Sequence, residues 1–410
     1  VVPQEQQLLS QDGTRGAFYF SLRSPQQPPE KEEFSMKKKL LALVLALAMT
    51  LSLVACGGSA QNGDSQTETV NSDASVGAED DANITDDAQA EDNTAEGQTY
   101  KVGLVNWVDH ASLNQIAENI QAELEAKGNE LGCTFEIDYD NAQGDNGSLN
   151  QIAANMIADE VDVIVAIATP VAVVMKGATE DNQIPVIFSA VSDPVGDGLV
   201  DSMEAPGGNL TGTSDYLNTN AMMELMLAAN PDLKKVGLLY DSAQSSSTTP
   251  IQNAKEWCED KGIEYVEKTG TTTDDIKLAA ESLVADGVDA VFTPSDNTVM
   301  TAELAIYETF NNAQIPHYGG ADSFALNGAF CGYGVDYANL GVMTGDMVAD
   351  LLVNGANPAE TPVMTFDNGI ATINTESCEA MGFDLDTIKE TFAPLCTEVT
   401  EIQTAESFDE

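Results

Sequence analysis

The chain is 410 residues long, with 67 acidic against 16 basic side chains and a formal net charge of -51. So negative a surface repels nucleic acid and anionic lipid, which excludes a nucleic-acid-binding role. Arg15 and Arg23 are the only arginines, so in the rest of the chain a carboxylate or phosphate must be held by lysine, hydroxyls or backbone N–H groups rather than by a bidentate guanidinium.

In chain order, the first element is a targeting signal. Met36-Lys37-Lys38-Lys39 precedes an apolar run from Leu40 to Ala48, a basic n-region and an h-region too short to span a bilayer comfortably. Leu53-Val54-Ala55-Cys56-Gly57-Gly58 has the form of a bacterial lipobox, which makes Cys56 the lipidated first residue of the mature chain. Residues 1–35 carry no export logic and read as a mis-called start or non-functional extension, residues 36–55 as a lipoprotein signal peptide, and residues 56–99 as the lipidated cysteine with an acidic tether. From Gln61 to Thr99 large apolar residues are nearly missing, so this stretch cannot offset its ordering entropy and serves as reach between membrane and domain. The other cysteines, Cys133, Cys258, Cys331, Cys378 and Cys396, show no C-x-x-C pairing. That argues against a metal site and leaves open either a Cys378 to Cys396 bridge or buried free thiols.

From Lys101 onward strand-like apolar runs alternate with amphipathic helical stretches, the pattern of a parallel sheet with helices on both faces. The runs are Val102 to Val105, Phe135 to Tyr139, Val161 to Ala168 and Ile184 to Phe188, with helices such as Ser112 to Lys127 and Ser148 to Ala158 between them. The pattern then restarts. Val236-Gly237-Leu238-Leu239 echoes Val102-Gly103-Leu104-Val105, Val288-Asp289-Ala290-Val291 echoes Val161-Asp162-Val163-Ile164, and Ile315-Pro316 echoes Ile184-Pro185, all offset by roughly 130 residues. The fold class that follows is α/β, two doubly wound Rossmann-like lobes joined by a hinge. The first lobe takes residues 100–213 with 337–358, the second 214–336 with 359–395, and 396–410 are left as an acidic tail, with crossings near Gly212 to Tyr216, Tyr333 to Tyr337 and Ala359 to Val363. Loops after the strands of two facing lobes converge on one cleft, and hinges of a few residues allow it to close.

At these segments the sequence resembles the substrate-binding lipoproteins of ABC transporters with the type I periplasmic-binding-protein fold, whose characterised members bind aromatic amino acids. The resemblance is carried by Asp138-Tyr139-Asp140-Asn141-Ala142-Gln143-Gly144-Asp145, Val165-Ala166-Ile167-Ala168-Thr169-Pro170, Ser192-Asp193-Pro194-Val195-Gly196, Pro206-Gly207-Gly208-Asn209, Pro294-Ser295-Asp296-Asn297-Thr298 and Gly332-Tyr333-Gly334-Val335-Asp336-Tyr337. It runs from Lys101 to Asp384. One departure stands at Asp109-His110-Ala111, where the resemblance leads to a glutamate and a proline around the histidine. It implies a monomer that takes a tryptophan, tyrosine or phenylalanine and works with a permease and an ATPase. Its place is extracytoplasmic, on a membrane through its lipid, and the long acidic tether favours a Gram-positive surface over a periplasm.

The candidate binding residues follow from the strand ends. Thr169 opens a helix whose free N–H groups, with its hydroxyl, suit a ligand carboxylate, although an ordinary N-cap needs the same residue. Ser192 and Asp193 repeat the arrangement one strand later, Asp193 as a loop brace. Asp296, followed by Asn297 and Thr298, can accept a ligand ammonium or cap its helix, and Asp322 is a second acceptor. Trp107 can stack on an aromatic ring or pack as an ordinary surface tryptophan. Asp109 and His110 lie in the first loop, where His110 can donate to a ligand or cap. Ser246 and the hinge residue Asp215 can close over a bound molecule.

An enzyme is the rival from another class, but there is no nucleophile elbow, phosphate-cradling loop or metal-ligand cluster, and acid-base work would fall to carboxylates. The reading is a non-enzymatic binding protein without cofactor. A sugar or other small solute in the same fold, or a tethered sensory receptor or adhesin, are the alternatives.

Overall fold

A computed structural model of the chain describes residues 97–408. The signal peptide, Cys56 and all of the tether before residue 97 lie outside the described residues, and Thr99, read as its last residue, already opens the first strand.

Two sheets form two lobes. The six-stranded sheet has the order β11-β5-β4-β3-β1-β2 and is parallel throughout. Its strands are β1 (Thr99–Asn106), β2 (Thr134–Asn141), β3 (Val163–Ile167), β4 (Val186–Ser189), β5 (Leu210–Ser214) and β11 (Met364–Thr365), with α1 (Ala111–Leu131), α2 (Asn146–Ala158), α3 (Thr169–Ala178) and α9 (Tyr337–Asn354) packed around it. The seven-stranded sheet has the order β13-β12-β10-β9-β8-β6-β7. It holds β6 (Lys235–Tyr240), β7 (Glu264–Thr269), β8 (Ala290–Thr293), β9 (His317–Gly319), β10 (Cys331–Gly334), β12 (Ile370–Asn374) and β13 (Glu398–Ile402). Its helices are α4 (Thr219–Ala229), α5 (Thr248–Lys261), α6 (Thr273–Asp286), α7 (Asn297–Ala313), α8 (Asp322–Leu326), α10 (Thr375–Ala380) and α11 (Leu385–Phe392). β12 runs antiparallel to β10, and β13 follows β12 in parallel.

The sequence echo is structural. Val102 pairs with Val163 in one sheet and Val236 with Ala290 in the other. The carboxylate of Asp162 accepts the Lys101 N–H at 2.7 Å, and that of Asp289 accepts the Lys235 N–H at 2.8 Å, so each aspartate pins the start of its neighbouring strand. Gly103 and Gly237 match for a packing reason: a Cβ there would lie 2.5 Å from the Met156 sulfur or 2.9 Å from a Leu283 methyl, inside the helix that covers the strand. Fully buried strands such as Val163–Ile167 read as unbroken apolar runs because helices cover both faces.

Three short crossings join the lobes, at residues 215–217, 335–336 and 366–369. The third lies later than expected. Residues 359–363, assigned to the crossing and the second lobe, stay with the first, because Met364 and Thr365 pair with Thr213 and Ser214 at its sheet edge and Val363 donates to the Met203 carbonyl. The stretch 396–410 is likewise not simply an acidic tail: it contains β13, an edge strand whose mixed acidic and apolar residues hid it. The five cysteines among the described residues are free thiols, so no Cys378 to Cys396 bridge forms. No helix among the described residues is long and apolar enough to cross a membrane.

Candidate functional site

The carboxyl ends of both sheets face one another, and the loops that leave them enclose a cavity with about 390 Å³ of empty space, mouth included. The six-stranded lobe contributes His110, Ser112 and Leu113 after β1, Ala168 and Thr169 after β3, Ala190 and Ser192 after β4, and Asp215 after β5. The seven-stranded lobe contributes Ser246 after β6, Ser295, Asp296, Asn297 and Met300 after β8, and Ala321, Ser323 and Phe324 after β9, while Tyr337 enters just past the second crossing. The walls are amphiphilic. Leu113, Met300 and Phe324 gather around the Ser112 to Ser323 hydrogen bond, and Ser192, Asp215, Ser295 and Tyr337 form a polar group near the hinge.

The helices that begin at Thr169 and Asp322 both start beside the cavity without a side-chain cap, and only the first adds backbone strain. Around the cavity, α1 is capped by His110, α7 by Asp296 and α9 by Asp336, whose side chains accept backbone N–H groups of the first turn. The cap position of α3 is Ala168, which has no side chain able to do this, and Pro170 follows inside the first turn. Ala168 is held at φ 77°, ψ 153°, a conformation suited to glycine, and Ala190 across the next strand at φ 55°. Strain of this kind persists only where surroundings enforce it, and here it turns an uncapped helix start into the cavity. The Thr169 N–H has no intrahelical partner and sits at the positive end of the helix dipole.

Two carboxylates, Asp296 and Asp215, line the site, and a third, Asp322, lies behind its wall between Ala321 and Ser323. Asp296 is fully buried. Its Oδ1 accepts the Thr298 and Val299 N–H groups at 3.0 Å and the Gln244 amide at 3.3 Å, and its Oδ2 accepts the Asp241 N–H at 2.8 Å and the Ser247 hydroxyl at 2.6 Å. Burial pushes its pKa up to about 6 despite those bonds. Asp215, on the first crossing, accepts from Ser192 at 2.9 Å and from the Tyr337 hydroxyl at 3.0 Å, with its pKa raised by burial. Asp322 keeps some exposed surface, yet its Oδ1 is sealed from solvent and meets no donor. Burial lifts its pKa to about 7, with the Asp336 charge adding to the effect. The Ser246 hydroxyl is a further orphan: 5 % exposed, in the cavity wall, without a partner.

Other sequence candidates fall outside the cavity. Trp107 lines an outer cleft with Pro170 and Val173 and packs against both cores of its lobe. Asp109 accepts from Asn141 and Gln143 and braces the loop after β2. Asp193 accepts the Gly196 N–H and the Thr249 hydroxyl, and Thr298 donates to Asp241. Phe324, Met300 and Tyr337 were missed; a strand-end rule finds Phe324 once α8 is seen to start at Asp322, but Met300 and Tyr337 depend on how the lobes face. The lobes meet through side chains. His110 Nε2 lies 3.0 Å from Asn297 Oδ1, Ser112 donates to Ser323 at 2.5 Å, the Ser192 and Ser295 hydroxyls lie 3.3 Å apart, and Thr249 reaches Asp193 at 3.1 Å. His110 Nδ1 accepts the Leu113 N–H, so Nε2 carries the proton, and enclosure of the ring lowers its pKa to about 4.

Residues 101–393 match the profile of the ABC transporter substrate binding proteins. The chain belongs to that family. It is 31% identical over 344 residues to the tyrosine-binding protein of Clostridioides difficile (strain R20291), covering 84% of this chain and 92% of the relative. The ABC domain from Streptococcus pneumoniae in complex with L-Trp is 31% identical and superposes at a TM-score of 0.67, over 74% of this chain and all of that one. The ligand-free, open structure of a Clostridium difficile substrate-binding protein with adhesive properties is 30% identical and superposes at 0.57, over 75% of this chain and all of that one. The fold is that of the type I periplasmic binding proteins, and the family is extracytoplasmic and binds solutes for ABC transporters. Among the described residues no three His, Cys, Asp or Glu side chains gather as metal ligands.

Proposed function

We propose that this substrate-binding protein captures an aromatic L-amino acid and presents it to its permease as a lipid-anchored monomer without enzymatic activity. The observation that carries the reading is the uncapped, strained start of α3 at Ala168 and Thr169 in the cavity wall, with the unpartnered carboxylate oxygen of Asp322 behind the wall formed by Ala321 and Ser323. A ligand carboxylate would cap α3, helped by the free Ser246 hydroxyl, and its ammonium would meet Asp322. Leu113, Met300 and Phe324 offer its ring an apolar wall, the part first given to Trp107. Asp296, with five protein donors, is left as the cap that holds the second lobe's loops. Relatives that bind tyrosine and L-Trp support the ligand class.

Titration calorimetry with tryptophan, tyrosine, phenylalanine and a panel of sugars tests it. Saturable heat from an aromatic amino acid is expected; heat from a sugar alone would overturn the ligand. The anchor falls to Cys56, and a fatty-acid label that persists in Cys56→Ser would remove it.

A further inference from the structure

The cavity grips the two ends of an amino acid by unlike means. On the anionic side the free donors are neutral: the Thr169 N–H and the Ser246 hydroxyl. No lysine lines the cavity. The nearest lysine on those helices, Lys176 of α3, is turned outward onto the Gly198 and Leu199 carbonyls. On the cationic side Asp215 lines the cavity, held by Ser192 and Tyr337, and Asp322 lies behind the wall formed by Ala321 and Ser323, with no protein cation to offset either. His110, the one basic side chain in the wall, is committed to Asn297.

Removing one or the other end of the ligand therefore has unequal consequences. Without the carboxylate, a neutral hydroxyl and an N–H are left, which ordered water can satisfy at little cost. Without the ammonium, a buried carboxylate loses its charged partner, and a ligand carboxylate is drawn into a wall that already carries negative charge. We infer that the same cavity accepts aromatic monoamines that have no carboxylate, and refuses aromatic carboxylates that have no amine. This rests on the aromatic amino-acid reading and extends it to a second ligand class.

Ser246 supplies an independent handle on the anionic side. It hangs from the seven-stranded lobe over the loop after β4, where its neighbours Ser245 and Thr249 touch Asp197 and Asp193. Its hydroxyl is the unpartnered one in the wall, so it should serve the carboxylate of an amino acid and have no role with an amine.

The experiment is calorimetry on the purified chain at about pH 8, above the Asp322 pKa of about 7, with three probes that share one ring: L-tyrosine, tyramine and 3-(4-hydroxyphenyl)propionate. Tyramine should bind about tenfold to a hundredfold more weakly than tyrosine, the loss of about one hydrogen bond from a neutral donor to the ligand's ionised carboxylate. The propionate should give no saturable heat. Ser246→Ala should weaken tyrosine about tenfold and leave tyramine unchanged, and Asp322→Asn should weaken both. Tyrosine binding without tyramine binding, or propionate binding as well as tyramine, overturns the inference alone. No heat from either tyrosine or tyramine overturns the amino-acid reading with it. An unchanged tyramine affinity in Asp322→Asn, with a melting curve like that of the parent, would also overturn it.

Discussion

Asp296 shows why a strand-end aspartate is ambiguous at the scale of one residue. Its oxygens join the start of α7 to the loop after β6, through the Asp241 N–H and the Ser247 hydroxyl. Asp296→Ala should therefore cost about 2 to 4 kcal/mol in urea unfolding, the sum of a lost cap and orphaned buried donors. Asp322 predicts the opposite kind of effect, on affinity. Its carboxyl has a pKa of about 7, with Asp336 and the Tyr337 hydroxyl as its titratable neighbours. The free site holds a proton that an ammonium ligand must displace, so affinity should be full above pH 7 and fall as pH drops through that value. Calorimetry as a function of pH should show this fall in the parent and a flat profile in Asp322→Asn. Strand-end position was enough to nominate both aspartates. It could not tell cap from ligand group, because Asp241 and Ser247 come from a loop about fifty residues away in the chain. The same limit moved Trp107: its place after β1 was legible, but its ring packs toward the core beside the cleft.

At the scale of elements, α9 crosses α1 at two glycines. A Cβ on Gly341 would lie 2.8 Å from the Ile116 carbonyl oxygen, and one on Gly345 would lie 2.8 Å from the Glu123 Cβ. Gly341→Val should lower stability by about 1 to 3 kcal/mol in urea unfolding, since backbone on the facing helix cannot yield as a side chain can. It should weaken ligand binding too, because α9 begins at Tyr337, which holds Asp215 at the hinge. The helices and strands were largely legible from period and repeat, since burial on both faces leaves continuous apolar runs. β11 and β13 were not: one has two residues, and the other, Glu398, Val399, Thr400, Glu401 and Ile402 at a sheet edge, breaks the polar-apolar alternation and mixes acidic and apolar residues as a loop does.

For the whole molecule, closure and net charge separate. Of the bridges described between the lobes, His110 to Asn297, Ser112 to Ser323 and Ser192 to Ser295 join neutral groups, and two more join hydroxyls to carboxylates, Thr249 to Asp193 and Ser245 to Asp197. Closure driven by such contacts should respond little to ionic strength, while a chain of net charge -51 should gain stability as salt screens its self-repulsion. Small-angle scattering with saturating ligand should give the same compact radius in low and high salt, and the melting temperature without ligand should rise with salt. The route of the chain adds a mechanical asymmetry. β1 starts at Thr99 on the side of its sheet opposite the cleft, so whatever holds the chain upstream pulls on the base of the six-stranded lobe alone. The other lobe joins that base by three short backbone crossings, so with the chain anchored at Cys56 as proposed, it would be the lobe free to swing and the mouth would open away from the anchor.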